Sequence, residues 1–157
     1  MSKAVAEKIK HGQALGVIEV NEALRAAATD AARLYWKAQV ADEFMEQVET
    51  CRGDKAFPLN WLPVDQLARY GFVASPKDSH WVMTTGVTAH IDRDWGPTLV
   101  WVLVNDGMYF KQGRERIVHK AGEWYIFNDA ALHEVDALKT SPAEAVYLGW
   151  AVRLKDL

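Results

Sequence analysis

Cysteine is nearly absent. Cys51 is the only one in 157 residues, which excludes an internal disulfide and a cysteine-rich zinc site. Long apolar runs are missing too, and none approaches the roughly 20 residues of a membrane helix. The opening residues, Met1 to Lys8, are charged and lack the apolar core of a secretion signal. With a single thiol, this predicts a protein of the reducing cytoplasm. There is no excess of positive charge: 18 basic residues stand against 21 acidic ones, for a formal net charge of −3. Without a dense Lys/Arg run the chain is a poor candidate for broad electrostatic capture of nucleic acid, though a local basic stripe is not excluded. No Walker pattern, dinucleotide fingerprint or Gly-x-Ser-x-Gly occurs, and no serine stands in a nucleophile-elbow context. Internal repeats and low-complexity segments are also lacking.

Half of the residues are apolar and a quarter charged, an ordinary globular composition that excludes disorder. The length predicts one domain over 1–157. Composition shifts near residue 75, from alanine and helix formers to valine, tryptophan, threonine and glycine. The reading is a helical part, 1–75, packed on a strand-rich core, 76–157. Five of the seven tryptophans fall in the second part: Trp81, Trp95, Trp101, Trp124 and Trp150.

Gly16 to Val20 reads as a short strand. Asn21 is a helix N-cap, with Glu22 in the favourable first turn. Leu24, Ala28, Ala31, Tyr35, Ala38, Ala41, Met45 and Val48 then recur at three and four residues, as one apolar helix stripe. Gly53 is placed at the end of this helix, with Cys51 an inert thiol near it. Pro63 and Gly71 bracket a second, short helix. The long helix can pack on its own sheet or on a second copy of the chain.

From His80 the period changes. Residues 81–85, 98–104, 108–110, 116–119, 123–127, 132–135 and 145–154 read as successive strands. The apolar run 98–104 suits a strand buried on both faces. Asn105-Asp106-Gly107 and Lys111-Gln112-Gly113-Arg114 read as turns. Short antiparallel strands of this kind predict a jelly-roll barrel with helices on one outer face, an α+β chain that is mainly β.

His90-Ile91-Asp92 carries the first chemical signal. Residues two apart on a strand face the same way, so an imidazole and a carboxylate converge. His133 follows 41 residues after Asp92, far enough for intervening strands to bring it back. Two histidines and one carboxylate make a facial triad that leaves open positions on Fe(II). Three protein ligands rather than four point to catalysis. The same three letters also describe a surface histidine beside a turn. His11 and His119 read as solvated. Thr85, Thr88 and Thr98 are candidates to line a pocket, Trp95 and Trp101 to shape its mouth or fill the core, and His80 reads as a histidine at a strand edge.

Four segments in order, His90-Ile91-Asp92, residues 98–106, residues 120–128 and Leu132-His133-Glu134-Val135, resemble the double-stranded β-helix core of the Fe(II)/2-oxoglutarate-dependent dioxygenases. The prolyl-hydroxylase-like subgroup is the nearest, and the resemblance covers about residues 80–154. It implies that His90, Asp92 and His133 hold Fe(II), that 2-oxoglutarate and O2 are co-substrates, and that a substrate is hydroxylated. It also implies an inward Arg or Lys anchoring the far carboxylate of 2-oxoglutarate. The family places that Arg six residues before a Trp. Counting back from Trp150 gives Glu144, a carboxylate. Arg153 and Lys111 are the remaining candidates. If Trp150 faces inward, alternation turns Arg153 outward unless a bulge re-aims it.

Two other readings follow from Glu144. One is a cupin-like metalloenzyme that does without 2-oxoglutarate. The other is a non-enzymatic jelly-roll module for binding or assembly. The substrate class stays open among protein side chains, amino acids, nucleobases and small metabolites.

Overall fold

The apolar run at 98–104 forms the centre of the molecule. The computed structural model describes residues 9–40, 50–53, 59–92, 96–142 and 145–157. In chain order the elements are β1 (Gly16–Val17), α1 (Glu22–Val40), β2 (Thr50–Gly53), a 3-10 turn (Leu59–Trp61), α2 (Val64–Arg69), β3 (Phe72–Thr84), β4 (Val87–His90), β5 (Pro97–Asn105), β6 (Met108–Lys111), β7 (Arg116–Ile117), β8 (Glu123–Asn128), β9 (His133–Ala137) and β10 (Tyr147–Asp156). They form a six-stranded sheet, β1-β8-β5-β10-β3-β2, and a four-stranded one, β4-β9-β6-β7. Every pairing is antiparallel.

Strand β5 shows why the large sheet lies in the middle. Leu99, Trp101 and Leu103 enter one buried cluster, with Ala28 of α1, Leu67 of α2 and Trp150 of β10. Val100 and Val102 point the other way, into a cluster with Met108 and Phe110 of β6 and Val135 of β9. Helices cover one face of the large sheet and the small sheet covers the other. The described residues are therefore mainly β, with two α-helices on one outer face.

Asn21 caps α1 as its sequence position requires. Its Oδ1 accepts from the backbone N–H of Ala23 at 2.8 Å and of Leu24 at 3.4 Å. Leu24 and Ala28 of the apolar stripe turn inward, while Ala41, Met45 and Val48 lie outside the described residues. Pro63 precedes α2, and Gly71 closes it at φ 86°. Gly53 does not end a helix. It lies in β2, where the register sets Cys51 opposite Met83 and Gly53 opposite Trp81. Pairing along the edge of β3 wins over helix continuation there. Strand β3 also begins at Phe72, before the compositional shift at 75, because its partner β10 runs on to Asp156. The register between them jumps from Val152–Ser79 to Arg153–Ser75. The bulge contains Pro76, which has no N–H to give the ladder.

The N-terminal segment is sewn along the edge of β8. Gly12 N–H donates to Ile126 O at 2.9 Å, Leu15 N–H to Trp124 O at 2.9 Å and Ile18 N–H to Gly122 O at 2.8 Å. Gly12 sits at φ 86°, and a Cβ there would meet the Phe110 ring at 2.6 Å. Both facts demand glycine.

Candidate metal centre

His90 is the last residue of β4 and His133 the first of β9, and the register sets them directly opposite each other. Opposite residues share a face, so the two imidazoles meet, with ring centroids 4.4 Å apart. Each ring is oriented by its own backbone. His90 Nδ1–H donates to Thr88 O at 2.8 Å, and His133 Nδ1–H donates to Ala131 O at 2.8 Å. A carbonyl only accepts, so the proton sits on Nδ1 and both Nε2 lone pairs are free for a ligand bond.

Asp92 lies two residues past β4, in the loop rather than on the strand. Its N–H donates to Asp129 O at 2.9 Å, which pins the loop. Its Oδ2 stands 3.5 Å from His90 Nε2 and 3.8 Å from His133 Nε2. One ligand atom from each of the three residues lies within 4.8 Å of the others. Donors bound side by side to one ion at about 2.1 Å are about 3.0–3.4 Å apart. The two spacings to Asp92 exceed that by only a few tenths of an ångström, which rotamer adjustment covers.

A second carboxylate stands beside this set. Asp129 Oδ1 is 3.4 Å from His133 Nε2, and its Oδ2 accepts from Thr98 Oγ1 at 3.1 Å. The sequence signal at Asp129 is only that of a strand breaker after β8. Its spacing to His133, four residues through a turn, has no standard periodicity to mark it.

The donors sit at one end of a cavity of about 390 Å³ between the two sheets. Its walls are mostly apolar, with Val82, Val100, Phe110, Phe127 and Val135. Deeper in, Tyr125 and Tyr147 meet hydroxyl to hydroxyl at 2.6 Å. Burial pushes both phenols well above their ordinary range, so both stay protonated. His80 and Thr98 line the cavity, as does Thr84. Thr85 and Thr88 are exposed instead. Trp101 is a core residue on the helical side of the large sheet, and Trp95 lies outside the described residues.

His119 is not solvated but buried, at 2% exposure. Its Nε2–H donates to Gly12 O at 2.6 Å, and its ring stacks on Tyr125 with centroids 4.1 Å apart and planes 7° apart. Burial pulls its pKa below the ordinary 6.5, against the raising effects of the Gly12 hydrogen bond and Glu123. The N-terminal strap made this burial invisible to local pattern reading. His11 is exposed, as expected.

The two candidate anchors take different places. Lys111 is paired in register with Glu134, and its Nζ is 4.0 Å from Glu134 Oε1. Its neighbours Phe110 and Val135 line the cavity, so alternation turns Lys111 to the outer face of the small sheet. Arg153 corrects the alternation argument. Trp150 faces the helical core, not the cavity, and Ala151 lines the cavity. Arg153 thus shares the cavity side of β10, opposite Thr98 at the metal end. Its side chain is not among the lining residues. Glu144 lies outside the described residues.

No protein-family model and no curated protein matches the sequence. Solved structures match the fold. EvdMO1 overlaps 98% of this chain with a TM-score of 0.59 at 11% identity. This chain spans about half of EvdMO1, 49% of its length. AviO1 from Streptomyces viridochromogenes Tue57 has a TM-score of 0.50 at 11% identity, over 98% of this chain and 94% of its own. An oxidoreductase of the 2OG-Fe(II) oxygenase family from Burkholderia pseudomallei has a TM-score of 0.47 at 15% identity, over 88% and 93%. At such identities the likeness is one of fold.

Proposed function

We propose that the chain is a divalent-metal enzyme of the oxygenase type, built on a double-stranded β-helix, with Fe(II) held by His90, Asp92 and His133. The observation that carries the reading is the convergence of two Nε2 lone pairs and one carboxylate oxygen within 4.8 Å at the end of a mostly apolar cavity. Two neutral imidazoles and a carboxylate suit a borderline divalent ion, and three ligands leave room for substrate and O2. A bound Fe(II) supplies the activation of O2. The chain supplies the rest. Thr88 O and Ala131 O hold the imidazoles in the ligating tautomer. The Asp92 carboxylate offsets part of the ion's charge. Val100, Phe110 and Phe127 keep bulk water from the reacting end.

The metal fits these residues; the case for 2-oxoglutarate rests on Arg153, which shares the cavity side of β10 at the metal end without being among the lining residues. The family resemblance implies a Lys or Arg for its far carboxylate, and no Lys or Arg is among the described residues that line the cavity. An anion buried without a cation is costly. We therefore favour a metalloenzyme that acts on a directly bound substrate.

Anaerobic titration of metal-free protein with Fe(II), followed by visible spectroscopy on adding 2-oxoglutarate, tests both parts. Stoichiometric iron binding that His133→Ala abolishes is expected, with no charge-transfer band from the keto acid. Unchanged iron affinity in His133→Ala overturns the ligand set. A clear charge-transfer band overturns the reading without 2-oxoglutarate.

A further inference from the structure

The inner end of the cavity is built around two phenols and one hydrogen bond. Tyr125 and Tyr147 each carry an O–H proton, and the 2.6 Å contact between them uses one. The other proton has no acceptor among the described residues, although both side chains are buried at 2–3% exposure. A buried donor without a partner costs free energy that a bound acceptor recovers. Tyr125 is held in place by the His119 ring stacked on it, so one of the two hydroxyls is fixed in position. The walls beside it, Val82 and Val100 among them, are apolar.

No Lys or Arg is among the described residues that line the cavity. Arg153 stands at the metal end opposite Thr98, six residues along β10 from Tyr147 and two past Ala151, which is in line with Val100 and Tyr125, and its side chain is not among those that line the cavity. Lys111 lies on the outer face of the small sheet. A carboxylate here would meet hydroxyls and the His80 ring but no Lys or Arg among the described lining residues, so its desolvation is poorly offset.

We propose that the Tyr125–Tyr147 pair is the recognition element for an uncharged oxygen acceptor, a ketone, amide or ether oxygen on a largely apolar small molecule. The pair accepts the inner end of the ligand, and the apolar walls direct its outer end to His90, Asp92 and His133. That second half rests on the metal reading above; the phenol subsite itself does not.

The test offers cyclohexanone, methylcyclohexane, cyclohexanecarboxylate and 2-oxoglutarate to the full metal-free chain, with affinities read by ligand-observed saturation-transfer NMR. Cyclohexanone is expected to bind about fivefold or more tightly than methylcyclohexane, the factor that one neutral hydrogen bond supplies. Both carboxylates are expected to bind more weakly than the ketone. The Tyr125→Phe/Tyr147→Phe double variant keeps both rings, and it should bring the ketone down to the hydrocarbon level. Each single variant loses less, because the remaining hydroxyl is released to turn toward the ligand. Equal affinity for ketone and hydrocarbon in the unaltered chain overturns the proposal, even if the double variant does not fold. So does a double variant that keeps the ketone preference, or a carboxylate that outbinds the ketone. Zn(II) titration separates the two readings. Asp92→Ala should lose the ion and keep the ketone, and a chain that takes no Zn(II) at all but prefers the ketone removes the metal reading alone.

Discussion

Asp129 shows how much one side chain beside a ligand matters. Its carboxylate lies 3.4 Å from His133 Nε2, the nitrogen that would face the proposed ion, and is itself held by Thr98. Asp129→Asn keeps the shape and the Thr98 contact but removes the charge. Weakening of Mn(II) or Zn(II) affinity by about tenfold is expected, in the range found for groups that support metal ligands. Calorimetric titration measures it, and an unchanged affinity would show that Asp129 plays no part in holding the ion. The grouping of His90, Asp92 and His133 was legible because His-x-Asp is a local pattern and the order of motifs around it is distinctive. Asp129 and the phenol pair were not. A turn aspartate has no periodicity to betray it, and Tyr125 and Tyr147 lie 22 residues apart on separate strands, brought together only by the fold.

At the scale of elements, the strap from Gly12 to Ile18 depends on His119, which is buried neutral beneath it. The folded pKa of His119 lies below its unfolded value of about 6.5. The unfolded chain therefore binds more protons in the window just below pH 6.5, and stability falls as pH drops through it. It is fully present above that value. Urea unfolding at pH 7.5 and 5.5 should show a loss in the unaltered chain that shrinks in His119→Gln, whose amide can still donate to Gly12 O. Strands were readable one by one because their periods and turn residues are local. Two element readings failed for a non-local reason. Pairing with β3 makes residues 50–53 a strand rather than a helix end, and the strap covers a histidine that its own neighbours, exposed Val118 and Lys120, mark as surface.

Across the whole molecule, the six-stranded sheet separates two interiors. One holds the tryptophans under the helices, where Trp61 stacks on Trp101 at 4.5 Å and meets Trp150 at 5.0 Å. The other holds the cavity and the candidate metal group. Damage to the first should reach the second only through global unfolding. Trp61→Ala is expected to lower stability by about 2 kcal/mol, less than the loss for a fully buried aromatic because Trp61 is half-buried. Zn(II) affinity should change by less than about twofold. Denaturant unfolding beside metal titration of the same variant decides it. The layer order could be read from β5 alone, whose unbroken apolar run requires cover on both faces. Which face held the site could not, since Trp150 was the natural inward marker and it points to the helices. Among the described residues, no helix is long and apolar enough to cross a membrane.

Strand β4 has one neighbour only, since it lies at the rim of the small sheet, and its pairing with β9 is irregular between Val87 and His90. A ligand that bridges His90 to His133 would lace this loose margin shut. Release of the ion and fraying of the margin then become a single event, so the residence time of the metal would be governed by how often four residues of backbone let go.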